Sequence, residues 1–282
     1  MTDLSQTESV KVTLINENGH HYDDWLAEER PLNVWINGEP YVTLMRTPGD
    51  DQALVYGFLK TDGVIEDLDD VDTLSLCHRG TEHPQSIHQS IVSGLAADRL
   101  KACLASGVRL DPKKRNHYVS SSCGLCSLEE LEEKVISSFT HPLQNKENWQ
   151  PISLTQEQIR HLIERFNRDE TLYTLTGGAH AAALFTKEGQ LKKFAVDIGR
   201  HNAVDKVIGG AMIDGVDCFS GLILFVSSRA GFEIVSKASS AGVSALVTLG
   251  AASGGAHRLA VLSGLPLYSF ARHNRVHRHQ AH

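Results

Sequence analysis

The spacing of apolar residues changes character about halfway along the 282-residue chain. In the first half the apolar positions mostly alternate. Val10, Val12 and Leu14 mark a short edge strand within an otherwise polar stretch of 30 residues. Val34-Trp35-Ile36 and Tyr41-Val42-Thr43-Leu44 flank Asn37-Gly38, the dipeptide of a tight hairpin turn. Asp50 or Asp51 then caps a helix carrying Ala53, Leu54, Tyr56, Gly57, Phe58 and Leu59, which Gly63 ends. Strand-like runs follow at Thr73–Leu76 and Ser86–Val92, and Ala96–Ala105 predicts a helix. Pro142 and Pro151, with polar residues between them, mark a seam. The expected units are residues 1–145 and 146–282.

Beyond the seam, Ile159, Leu162, Ile163 and Phe166 form one face of a helix spanning Thr155–Asn167. Short buried-type strands then alternate with helices. The strands are Ala181–Phe185, Leu191–Ile198, Leu222–Ser227, Ser244–Leu249 and Leu267–Phe270. The helices are His201–Met212, Gly231–Ala241 and Gly254–Ser263, and Lys187-Glu188-Gly189-Gln190 forms a hairpin turn. This order predicts an α/β fold, α+β over the whole chain. It has a C-terminal three-layer sandwich with a mixed sheet and a smaller N-terminal α+β domain. In such sheets ligands sit at the carboxyl ends of strands, beside helix N-termini.

Candidate chemistry concentrates first in Ser120-Ser121-Ser122-Cys123-Gly124-Leu125-Cys126-Ser127. Ser127 and Glu130 make a capping box for a helix whose apolar positions are Leu128, Leu131, Val135 and Phe139. A helix N-terminus favours a nearby thiolate, although Glu129, Glu130, Glu132 and Glu133 oppose it. Four readings compete for the cysteine pair: half of a zinc site, a dithiol redox centre, two small core residues, or a sulfur-handling thiolate. No second pair at ligand spacing completes a zinc site, because Cys77, Cys103 and Cys218 are isolated. The pair lies mid-chain, away from the usual thioredoxin-type position, and its flanks are too polar for a core. An accessible, activated thiol is what nucleophilic exchange at sulfur requires.

Polar clusters in the second half fall at the predicted strand ends. Asp197-Ile198-Gly199-Arg200-His201-Asn202-Ala203-Val204-Asp205-Lys206 joins a strand to a helix. There Arg200, His201 and Asn202 can meet a phosphate or a purine edge, or Asp197 and Arg200 can simply pair and cap the helix. Ser227-Ser228-Arg229 occupies the equivalent place one strand later, and its guanidinium suits phosphate. Thr176-Gly177-Gly178-Ala179-His180 is a turn carrying a histidine. Phe270-Ala271-Arg272-His273-Asn274-Arg275 follows the last strand, and His277, Arg278, His279 and His282 read as a disordered end.

The net charge of -7 argues against bulk nucleic-acid binding. No apolar run reaches membrane-span length, and Met-Thr-Asp-Leu-Ser-Gln is not the start of a signal peptide. Five cysteines, an odd number, fit reduced thiols in a cytoplasmic protein without nucleic-acid or membrane partners.

The strand and helix order of the second half resembles the cytidine-deaminase-like fold. The zinc deaminases place His-x-Glu on one helix and Pro-Cys-x-x-Cys on the next. Here the corresponding positions read His201-Asn202-Ala203 and Ser228-Arg229-Ala230-Gly231, which excludes deamination by that route. Cys123-Gly124-Leu125-Cys126, Thr176–His180, Asp197–Lys206 and Ser227–Arg229, in this order, resemble the formate dehydrogenase accessory sulfurtransferase family, FdhD/NarQ.

The resemblance implies a cytosolic homodimer that takes persulfide sulfur from a cysteine desulfurase. It passes the sulfur to molybdenum or tungsten in the bis(molybdopterin guanine dinucleotide) cofactor before or during loading of apo-formate dehydrogenase. It also implies Cys123 as carrier with Cys126 assisting, and a guanine-shaped site that GDP would mimic. No structural metal is expected. The site then comprises Gly177, His180, Arg200, His201, Asn202, Ser228 and Arg229, with the tail Phe270, Ala271, Arg272, His273, Asn274 and Arg275. The chain departs from the family pattern at Ser127 and His273, where glycine is usual, and lacks a tyrosine-containing end. A cofactor-holding chaperone and a dithiol oxidoreductase are the rival functions.

Overall fold

A computed structural model describes residues 9–77, 98–108, 110, 117–119, 143, 148–167, 175–272 and 275–279. The strand Ser86–Val92, the cysteine loop and the helix behind it lie outside the described residues. The described strands form three sheets.

The six-stranded sheet is ordered β13-β12-β11-β10-β8-β9. It contains β8 (His180–Thr186), β9 (Leu191–Asp197), β10 (Leu222–Val226), β11 (Ala245–Thr248), β12 (Leu267–Arg272) and β13 (Arg275–His279). Strands β10, β11 and β12 are parallel, while β8 and β13 run antiparallel to their neighbours. One face packs against helix α2 (Gln156–Phe166) through Ile159, Leu162 and Phe166. Thr155 and Gln158 cap that helix reciprocally. Helices α3 (Arg200–Ile213), α4 (Phe232–Ala241) and α5 (Gly254–Ser263) cover the other face. The three-layer sandwich with a mixed sheet is thus present.

The five-stranded sheet is ordered β5-β6-β3-β4-β7. It contains β3 (Arg30–Ile36), β4 (Glu39–Arg46), β5 (Val71–Cys77), β6 (Asp98–Leu104) and β7 (His117–Val119). Asn37 and Gly38 take positive φ between β3 and β4, as the hairpin signal required. Helix α1 (Asp51–Thr61) packs this sheet onto α3, so one apolar cluster runs from Leu32, Val34 and Leu44 through Leu54 and Leu59 to Val204, Leu224 and Leu246. A third sheet consists only of β1 (Ser9–Ile15) and β2 (His21–Ala27).

Two expectations are corrected. Ala96–Ala105 does not form a helix: Asp98–Leu104 is a central strand between β3 and β5. Asp98, Leu100, Ala102 and Leu104 are buried while Lys101 and Cys103 are exposed, a period of two that the run of helix-forming residues concealed. The histidine-rich end is not a loose tail either. Arg275–His279 pairs with β12 as the edge strand of the large sheet.

Candidate functional site

The carboxyl edge of the six-stranded sheet gathers the described motifs of the second half. Strand β9 ends at Asp197, which pairs with His180 at the start of antiparallel β8. Beside them, Ser227 donates its amide to the Ala181 carbonyl and accepts the Ala181 amide on its Oγ. The next loop is laced to its neighbours: Gly250 N–H donates to Ser228 O, Ala230 N–H to Ala251 O, and Phe270 N–H to Gly250 O. Gly250 permits this approach, since a Cβ there would stand 2.9 Å from the Arg229 backbone. The ends of β10, β11 and β12 therefore form one continuous rim, with the N-termini of α3, α4 and α5 behind it.

Arg229 is exposed on this rim and Arg200 is half-buried at the first turn of α3. Ser228 is buried and donates its hydroxyl to Arg229 O. Gly177 is exposed and takes positive φ in the turn before β8. Phe270 is 42% exposed and left-handed, with φ of +56°, where the β12–β13 register shifts. Its ring lies 5.2 Å from that of His277. Ala271 is buried beneath the rim. The backbones of Arg272 and Arg275 flank the turn that contains His273 and Asn274, which, like Cys123 and Cys126, lie outside the described residues. The His180 imidazole is held below its usual pKa, chiefly by burial and then by the charge of Arg200, with Asp197 pulling the other way.

His201 and Asn202 turn inward, only 3% and 5% exposed. Both Asn202 amide donors are committed, to Met45 O at 2.6 Å and Asp197 Oδ1 at 2.9 Å. His201 Nε2 lies 4.0 Å from the Glu233 carboxylate on α4. Asp197 also accepts from the Thr47 amide, the Gly199 amide and the Lys206 ammonium, the last at 2.8 Å. The Lys206 ammonium donates to Thr47 O, and the Ile198 amide to Thr47 Oγ1. The segment Met45–Thr47 is thereby fastened to the head of α3.

One residue back, Arg46 is fully buried. It forks onto Asp51 with two bonds of 2.8 Å and reaches Asp98 at 2.7 Å. Burial opposes its charge, but the two carboxylates outweigh burial and hold its pKa above normal.

Sequence reasoning missed this second network, made of Arg46, Thr47, Asp51, Asp98, Asp197 and Lys206. Its signal was α3 itself, where Asp205 and Lys206 stand directly among the apolar Ala203, Val204, Val207 and Ile208. Such a helix is buried, and charges on it need internal partners. Asp205 finds Lys237 at 2.8 Å and Thr61 at 2.8 Å; burial pushes its carboxyl upward against them.

The chemistry this edge offers is exposed guanidinium, backbone amides at three helix heads, a solvent-facing aromatic ring and a half-buried histidine. The FdhD/NarQ family profile matches residues 27–281, nearly the whole of this arrangement. The chain belongs to the FdhD/NarQ family.

Its relatives include sulfur carrier proteins FdhD. That of Streptomyces avermitilis is 38% identical over 252 residues, covering 88% of this chain and 84% of the relative. That of Sulfurisphaera tokodaii is 34% identical over 274 residues, covering 95% of both chains. A crystal structure from Desulfotalea psychrophila, described as a formate dehydrogenase accessory protein, shares the fold with a TM-score of 0.69. It is 20% identical and the match covers 97% of this chain and 96% of that one. The hairpin β1–β2 precedes the region that defines the FdhD/NarQ family. No helix among the described residues is long and apolar enough to cross a membrane.

Proposed function

We propose that this FdhD/NarQ protein is a sulfur carrier for formate dehydrogenase. Cys123 receives sulfur from a cysteine desulfurase, and the carboxyl edge of the large sheet holds the acceptor, bis(molybdopterin guanine dinucleotide). The observation that carries the reading is a strand register. Strand β7 pairs in parallel with β4, setting Val119 opposite Leu44. Three residues beyond Leu44, Thr47 is bonded to Asp197 and Ile198 at the head of the rim. Cys123 follows Val119 by four positions, a span of at most ~14 Å of extended chain. This register supports the reading, because the segment that leads to Cys123 leaves β7 beside the strand that runs on to Thr47.

The residues present fit that acceptor. Arg200 and Arg229 suit its pyrophosphates, helix-head amides add donors, and the exposed Phe270 ring offers a stacking face for guanine.

The Cys123 thiolate attacks the terminal sulfur of the donor persulfide. A new S–S bond forms, the donor's S–S bond breaks, and the desulfurase cysteine leaves as thiolate. Cys126 then attacks Cys123 Sγ. Sulfur departs as hydrosulfide toward the acceptor, and its two electrons are balanced by the Cys123–Cys126 disulfide. A dithiol reductant reopens that bridge. The protein works as a homodimer in the cytoplasm.

The test is intact-protein mass measurement after incubation with a desulfurase and cysteine. The wild type is expected to gain the mass of one sulfur and Cys123→Ala to gain none, while both bind GDP equally. A wild type that gains nothing beside an active desulfurase would overturn the carrier role in favour of a cofactor-holding chaperone.

A further inference from the structure

Among the described residues no group of three or more His, Cys, Asp or Glu is arranged around a metal position. One pair nevertheless meets head to head, between α5 and β13. His257, in the first turn of α5, and His279, at the end of β13, face each other through their Nδ1 atoms at 3.2 Å. Their rings are 5.3 Å apart and inclined by 50°. Two nitrogens bound at usual lengths to one tetrahedral zinc stand about 3.3 Å apart. The pair is therefore spaced for an ion as well as for a hydrogen bond.

The far side of the His279 ring is also set. Its Nε2 lies 2.8 Å from Ser269 Oγ on β12. With Nε2–H donating to that hydroxyl, Nδ1 keeps its lone pair turned toward His257, the outer-shell arrangement that orients metal-binding histidines. Both rings are only half-buried, so an ion and its waters can enter. Alternation along β13 turns Arg278 to the opposite face, where it meets Ser153 Oγ at 3.3 Å, away from the pair.

We infer that His257 and His279 form an open two-imidazole site for a borderline divalent ion of the zinc class, which clasps the terminal strand β13 to helix α5. Water fills the remaining coordination positions. Imidazole without thiolate or carboxylate suits zinc, copper or nickel and not magnesium or calcium. The clasp anchors the far end of the β12–β13 hairpin, whose near end carries Phe270 and the register shift at the rim.

The experiment is Zn2+ titration of the full chain against a chromophoric chelator, with amide hydrogen exchange of β13 as an independent readout. Wild type should bind one more equivalent than either His257→Ala or His279→Ala. Zn2+ should slow exchange in β13 for wild type but not for His257→Ala or His279→Ala. His277→Ala, which leaves both proposed ligands in place, should retain the extra equivalent. Equal binding by wild type and both variants, or loss of the equivalent in His277→Ala with retention in His257→Ala, would show that the Nδ1 contact is a plain hydrogen bond and overturn the site.

Discussion

Gly209 of α3 lies so close to Gly57 of α1 that a Cβ built on it would stand 2.5 Å from the Gly57 nitrogen. A Cβ on Gly57 would in turn overlap the backbone carbonyl of Asp205. The two helices cross at backbone contact, and only hydrogen at both positions permits it. Backbone atoms cannot swing aside as a side chain can. Gly209→Ala should therefore separate the helices and cost about 3 kcal/mol or more, the upper range for overpacking. Denaturant unfolding followed by far-UV circular dichroism measures it. A loss below about 1 kcal/mol would mean that the crossing relaxes easily.

Asp197 and Lys206 form a buried ion pair whose remaining bonds reach Thr47, the head of α3 and the Val196 carbonyl on β9. Removing one partner strands the other. Lys206→Met should cost about 3–5 kcal/mol. Replacing both, as Asp197→Asn with Lys206→Met, should recover part of that loss, because no lone charge then remains buried. A double-mutant cycle gives the coupling, and strictly additive losses would refute the pairing argument.

Much of the fold could be read directly from the chain. The strand–helix alternation after Gln156 was visible because each segment is short, uniformly apolar or clearly periodic, and ended by Gly, Ser or Asp. The failures share a physical cause. Asp98-Arg99-Leu100-Lys101-Ala102-Cys103-Leu104 is made of residues at home in helices, and a central position between β3 and β5 overrode that preference. Arg275–His279 carries only Val276 as an apolar marker, so its pairing to β12 was invisible locally. The rim was foreseeable because its polar groups follow strands in sequence. The Arg46–Asp51–Asp98 and Thr47–Asp197–Lys206 networks were not, since they join positions as far as 159 residues apart.

His180 supplies a pH dependence. Its pKa in the fold lies below the ordinary value of 6.5, from burial first and the Arg200 charge second. The unfolded chain therefore binds the proton more tightly than the folded one does. The corresponding stability is complete above pH 6.5 and declines as pH falls below it toward the folded pKa. Unfolding midpoints measured from pH 7 downward should drop, and His180→Gln should drop less steeply. A His180 resonance titrating above 6.5 in the folded protein would reverse the sign and sink the argument.

Phe270 is an aromatic residue at φ of +56°, a conformation that costs a bulky side chain about 1–3 kcal/mol. Packing does not explain it, because the ring is 42% exposed and touches His277 at the surface. The strain holds the ring at the rim while its amide stays bonded to Gly250 O. Phe270→Gly removes the strain and the ring together. Stability should then change by less than about 1 kcal/mol, in either direction, since relieved strain offsets the lost ring contact. Affinity for GDP should fall about tenfold, the order expected for losing one base–aromatic stack. Calorimetric titration of GDP beside a denaturation curve separates the two effects. Unchanged GDP binding together with a large loss of stability would make the ring a structural element and remove it from the proposed cofactor site.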